Sequence, residues 1–173
     1  MILTGAEIAR QRARGALTIE PFDPAQLNPQ SYNYRLGATL KMHRNGRADT
    51  HREHTLEEIV IPEDGIILEP GTVYLGTTME VLGSSECAMR LIGRSSLGRL
   101  GLYLQYSADL GHRGSTHRWT LELEATQLLR VYAGMSIGQV TFWHTAGSPL
   151  AYTGTFGHRS YASVAPPGLL AAF

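Results

Sequence analysis

The chain has 173 residues, enough for one domain with a sizeable core. Fifteen basic and fifteen acidic side chains cancel. That balance excludes the broad positive field of a nucleic-acid binder, so any anion must be held by local geometry. One cysteine, Cys87, permits no intrachain disulfide and fits a reduced, cytoplasmic setting. No apolar run approaches the roughly 20 residues needed to span a bilayer, and the N-terminus lacks the apolar stretch of a signal peptide.

The chain opens on a predicted short helix. Thr4 and Glu7 have the spacing of a capping box, Leu3 and Ile8 that of a hydrophobic staple, and Gly15 is a good stop. Strands follow at 17–19, 32–36, 59–61, 66–68, 73–78, 88–92, 103–107, 118–124 and 137–143, separated by Gly, Pro and Asn. Residues 44–58 are polar and read as an exposed excursion. From His144 periodicity fades into a Gly- and Pro-rich tail, expected to lie over a neighbouring subunit. The pattern is mainly β: one barrel or sandwich domain over 1–173 with a short N-terminal helix.

Gly93-Arg94-Ser95-Ser96-Leu97-Gly98-Arg99-Leu100-Gly101-Leu102 sets two arginines, two serines and three glycines between apolar strands. Glycine allows close backbone approach, while Ser hydroxyls, N–H groups at a helix start and arginine forks all suit phosphate oxygens. A polar turn with solvated arginines has the same composition, and the segment is not a P-loop.

In Trp119-Thr120-Leu121-Glu122-Leu123-Glu124 polar and apolar residues alternate. Period two places Trp119, Leu121 and Leu123 on one face and Thr120, Glu122 and Glu124 on the other. The glutamates then point to solvent or into an intersubunit cleft.

Gly93 to Leu102 resembles the phosphate-binding motif of trimeric dUTPases and dCTP deaminases, and Arg99 before Leu100-Gly101-Leu102 is similar to the deaminase form. Met1-Ile2-Leu3 with Glu7-Ile8, the run Ser31 to Gly37, Pro70-Gly71 with Tyr74-Leu75 and Thr78-Met79-Glu80, and Gly134 with Ile137-Gly138-Gln139 resemble deaminase segments in the same order. The likeness spans about three quarters of the chain. It implies the dUTPase-like distorted barrel or jelly roll and a homotrimer with interfacial sites. It also implies hydrolytic deamination of a deoxycytidine nucleotide, dCTP to dUTP plus ammonia. Glu122 stands in the place of the general base. Ser95 and Arg99 would position Glu122 or the water, and the backbone at Ser107 and Ala108 would read the base. Arg94, Ser95 and Ser96 would grip phosphates, with Mg²⁺ bridging the triphosphate, and Tyr152 would meet the substrate. The zinc-dependent alternative needs a Cys-x-x-Cys pair that one cysteine cannot supply. None of the seven histidines has convincing metal-ligand spacing, and they read mainly as surface residues.

Two segments depart from that pattern. Asp109 to Thr116 carries His112-Arg113 where the family has Asp-Pro, and Leu110 replaces an arginine. The tail keeps Tyr152 and Gly154 but has Thr155 for a lysine. Loss of the loop aspartate places a dUTPase or a bifunctional deaminase–dUTPase second. A nucleotide-binding regulator without turnover stands third.

Overall fold

In the computed structural model, residues 1–43, 51, 54–106, 108–148, 150, 152, 154, 161 and 162 are described. Helix α1 spans Gly5–Ala13. Thr4 Oγ1 accepts from the Glu7 N–H at 3.3 Å, half of the expected capping box. The other half is replaced: the Glu7 carboxylate turns along the helix to Arg10 Nε at 2.7 Å and Gln11 Nε2 at 2.7 Å. These bonds, Arg10 first, hold the Glu7 carboxyl down at about 2. Leu3 and Ile8 are buried as a staple requires, and Gly15 stops the helix at φ +79°.

The strands that follow are β1 (Leu17–Glu20), β2 (Tyr32–Arg35), β3 (Thr39–His43), β4 (Leu56–Val60), β5 (Ile66–Leu68), β6 (Val73–Thr77), β7 (Val81–Ser84) and β8 (Cys87–Gly93). A one-turn helix α2 (Ser95–Gly98) leads into β9 (Leu102–Leu104), β10 (Leu110–Gly111), β11 (Thr116–His117), β12 (Thr120–Ala125), β13 (Leu129–Val131) and β14 (Ser136–His144). The mainly β fold expected from the sequence is therefore present. Strand β4 begins at Leu56, inside the segment expected to be an excursion, because Lys41, Met42 and His43 of β3 supply it with an antiparallel partner.

Four sheets build the domain, in the orders β10-β8-β14-β2, β4-β3-β6-β12-β9, β1-β7-β11 and β13-β5. The long β8–β14 ladder runs from Gly138↔Gly93 to His144↔Cys87 and forms the centre of its sheet. Flanked on both sides, β14 buries Ile137, Val140 and Phe142 completely. Each such side chain contributes about 1.5–3 kcal/mol relative to exposure. They share one core with Tyr32, Tyr34, Leu91, Leu121 and Leu123. Tyr34 fills the space above Gly138, and its hydroxyl donates to the Ile92 carbonyl at 3.1 Å. Buried Glu80 holds β2 by accepting from Arg35 Nε at 2.6 Å and the Arg35 N–H at 2.8 Å.

Candidate active site

The Gly/Ser/Arg segment forms the tight turn that joins the two large sheets. Arg94 is the N-cap of α2, and the N–H groups of Leu97 and Gly98 donate to its carbonyl at 3.0 and 2.9 Å. The first turn of a helix leaves N–H groups without intrahelical acceptors, and Ser95 and Ser96 lie there with exposed side chains. Arg94 is half-buried and donates to the Ser136 carbonyl at 3.2 Å, whereas Arg99 is exposed. Gly101 takes φ +82°, and a Cβ there would sit 2.3 Å from Thr126 Oγ1. That position needs glycine for both reasons.

Glu122 lies on β12, with β6 on one side (Glu122↔Leu75) and β9 on the other. The expected alternation holds: Leu121 and Leu123 are fully buried, while Thr120, Glu122 and Glu124 share the outer face half-buried. Trp119 precedes the strand and anchors it through its indole N–H to the Leu82 carbonyl at 3.0 Å. Burial alone pushes the Glu122 carboxyl upward from its ordinary value. Glu124 opposes Tyr103, which stacks on Tyr106 at 5.6 Å.

Gln105, unremarked in the sequence, organises this end of β12. Its φ is +54°, the single positive φ outside glycine among the described residues. Its N–H donates to the Glu122 carbonyl at 3.2 Å, and its side-chain Oε1 accepts from the Glu122 N–H at 2.8 Å. The amide nitrogen donates to the Ala108 carbonyl at 3.0 Å. The sequence reading carries this strand over 103–107, whereas it ends at Leu104, and no local spacing announces the fold-back. Ser107 lies outside the described residues.

The phosphate-type turn and Glu122 sit at opposite ends of β9. Gly101 accepts from the Thr126 N–H at one end, and Gln105 meets Glu122 at the other. Four residues at ~3.3 Å each separate them by about 13 Å. Among the described residues, no hydrogen bond or ion pair joins Arg94, Ser95, Ser96 or Arg99 to Glu122.

The departing loop is tied down on both sides. Asp109 accepts from Arg90 Nε, and Arg113 Nε donates to the Ser85 carbonyl at 2.6 Å. His112 stacks on Tyr152 at 4.7 Å and 15° between planes, so Tyr152 lies against its own protomer's loop. Thr120 Oγ1 lies 3.5 Å from the Tyr161 carbonyl, and Ala162 is buried, so these described tail residues also pack on their own protomer. Tail residues 155–160, including Thr155 and His158, lie outside the described residues. His117 is the one buried histidine among the described residues, packed against Trp119 because β11 faces it inward; the other described histidines are exposed or half-buried, as expected of mainly surface groups. Among the described residues no three His, Cys, Asp or Glu side chains gather to hold a metal ion. No helix there is long and apolar enough to cross a membrane.

The mainly β sheets, the Gly/Ser/Arg turn and the half-buried carboxylate together define a protein of the dUTPase-like fold. The family model for dCTP deaminase-like proteins matches residues 2–145. The "dCTP deaminase, dUMP-forming" of Hathewaya histolytica is 41% identical over 153 residues, 88% of each chain. The "dCTP deaminase" of Rhodopirellula baltica is 41% identical over 147 residues, 85% of this chain and 74% of that one. The crystal structure of 2'-deoxycytidine 5'-triphosphate deaminase from Agrobacterium tumefaciens superposes with a TM-score of 0.66 at 25% identity, over 82% of this chain and 47% of that one. This chain thus spans about half the length of that neighbour. It belongs to the dCTP deaminase-like family.

Proposed function

We propose that this protein hydrolyses dCTP at two positions, releasing ammonia, pyrophosphate and dUMP at the expense of two waters. The sequence alone pointed to dUTP as product; the dUMP-forming name of a relative 41% identical over most of both chains moves the product to dUMP. The observation that carries the deaminase reading is the Glu122 carboxyl, half-buried on the outer sheet face with its pKa raised by desolvation alone. A carboxyl whose charged form is disfavoured in this way is a better proton acceptor than an ordinary surface carboxylate. It removes a proton from water as oxygen bonds to C4 of cytosine, delivers it to N3, and assists departure of the 4-amino group as ammonia.

The phosphates are gripped by Arg94, Ser95, Ser96 and the first N–H groups of α2, in the manner of anions at helix starts. In this reading the complete site combines Glu122 of one subunit with the turn of another, in a homotrimer with three interfacial sites. Ser95 and Arg99 then complete the water's surroundings, and the backbone of Ser107 and Ala108 reads the base edge. Mg²⁺ would be held through the phosphates, because that ion prefers phosphate and water oxygens. When bound it neutralises charge on the triphosphate.

A second reading, deamination that stops at dUTP, is favoured by the loop. Asp109 is already paired with Arg90, and His112 stands against Tyr152. Incubation with dCTP and Mg²⁺, with separate readout of ammonia, dUMP and dUTP, decides between them. Ammonia with dUMP is the expected result, ammonia with dUTP supports the second reading, and no ammonia overturns both.

A further inference from the structure

We infer that Gln105 is the positioning residue that sets the base-reading backbone at Ala108 against the Glu122 carboxylate, an inference that rests on the proposed deaminase reading. In an antiparallel ladder every second opposed pair is a hydrogen-bonded one, whose two residues exchange both of their main-chain hydrogen bonds. Gln105 and Glu122 keep one of these, the Gln105 N–H to the Glu122 carbonyl. The second is made by the side chain: Gln105 Oε1, not its main-chain carbonyl, accepts from the Glu122 N–H at 2.8 Å.

The substitution frees only the main-chain carbonyl of Gln105 from β12, while its N–H stays bonded to Glu122. The backbone turns out of the sheet through φ +54°, a region that side chains other than glycine rarely adopt. Strain of this kind persists only where surrounding contacts over-determine it, and those contacts are visible. Gln105 is 92% buried, and its remaining amide function donates to the Ala108 carbonyl at 3.0 Å. One planar amide therefore touches the backbone of the residue carrying the candidate base and the backbone of residue 108. A rigid five-atom amide fixes the distance between them far better than two independent loops would.

The chemistry of glutamine is specific to this task. Its side chain offers an acceptor and a donor at fixed separation. Gln105→Glu keeps the acceptor for the Glu122 N–H but places a second acceptor against the Ala108 carbonyl. Gln105→Met keeps the length and loses both functions.

The test uses the full chain with dCTP and Mg²⁺, measuring kcat and KM, and separately the affinities for dCTP and dUTP of each variant. The expected result is a fall in kcat of at least tenfold for both variants, with KM changing less than threefold. The dCTP-to-dUTP affinity ratio moves toward unity, and Gln105→Asn gives no recovery because its amide cannot span both partners. A residue that merely supports the fold would lower the melting temperature and leave the base discrimination of the folded fraction unchanged. Native kcat and native discrimination in Gln105→Glu overturn the inference while leaving the deaminase reading intact. Should the native protein bind dCTP without turning it over, the deaminase reading fails, and the affinity ratio alone still decides the role of Gln105. Should neither substituted chain fold, amide hydrogen exchange in the native protein carries the test. The clamp predicts that the Glu122 N–H is protected like the adjacent Leu123 N–H, and fast exchange there overturns it.

Discussion

Arg90 Nε donates to the Asp109 carboxylate across the β8–β10 pair, closing the base of the loop that departs most from the family pattern. The pair is partly exposed, with side-chain exposures of 58% and 31%. It contributes little to stability, about 0–1 kcal/mol. Its importance is that it commits Asp109, the nearest carboxylate to the missing loop aspartate, to a structural contact.

Asp109→Asn is therefore expected to leave the ratio of dUMP to dUTP unchanged within a factor of two and the melting temperature within a few degrees. Product analysis by ion-exchange chromatography reads this directly. A selective loss of dUMP would show that Asp109 serves the phosphorus chemistry.

Glu122 makes a prediction about stability as well as rate. Its folded-state pKa lies above the unfolded value, by burial. Both states are protonated at low pH, so nothing is lost there. As pH rises through the unfolded value of about 4.3, the unfolded chain ionises first and stability falls until the folded carboxyl ionises too. Glu122→Gln removes that cost. Its melting temperature should exceed the native one at pH 8 and converge with it near pH 4. The acidic limb of native kcat/KM should lie above the ordinary carboxylate range. Equal melting temperatures at pH 8 would mean that the carboxylate is not disfavoured by its surroundings.

Arg99 and Arg94 should separate in their effects. Arg99 is exposed and is proposed to position the water, so Arg99→Ala should lower kcat for dCTP tenfold or more with little change in KM or melting temperature. Arg94 also holds the Ser136 carbonyl, so Arg94→Ala should lower both affinity and stability, the latter by about 1–2 kcal/mol. Urea midpoints alongside KM values separate the two.

The sequence made much of this legible because period and punctuation agree with the fold. Alternation from Trp119 to Glu124 identified the buried and outer faces of β12, and the Thr4 to Gly15 signals bounded α1. Strands β3, β7, β10, β11 and β13 escaped; β7, Val81-Leu82-Gly83-Ser84, is short, breaks at Gly83 and pairs with residues 33 or more positions later or 61 or more earlier. The excursion ended three residues early because β4 is held by β3 rather than by its own apolar pattern, Leu56-Glu57-Glu58 being largely charged. Gln105 was invisible for a different reason. A fold-back that replaces a main-chain hydrogen bond depends on the strand ending at Leu104, and no local spacing encodes that.

The core predicts one sharp intolerance. A Cβ at Gly138 would lie 2.1 Å from the Tyr34 ring, which is itself fully buried. Gly138→Ala should destabilise the protein by about 1–3 kcal/mol or more, read as a lower urea midpoint. Glu80→Ala, which strands the Arg35 guanidinium, should cost about 3–5 kcal/mol. Near-native midpoints in both would contradict the packing described between β2, β14 and Glu80.

The central claim is that Glu122 moves the protons of deamination. The most direct measurement is ammonia release from dCTP by Glu122→Gln, beside an independent determination of its dCTP affinity. The account predicts a loss of at least a thousandfold in kcat, with dCTP bound within about threefold of the native affinity. Ammonia release at the native rate would contradict it.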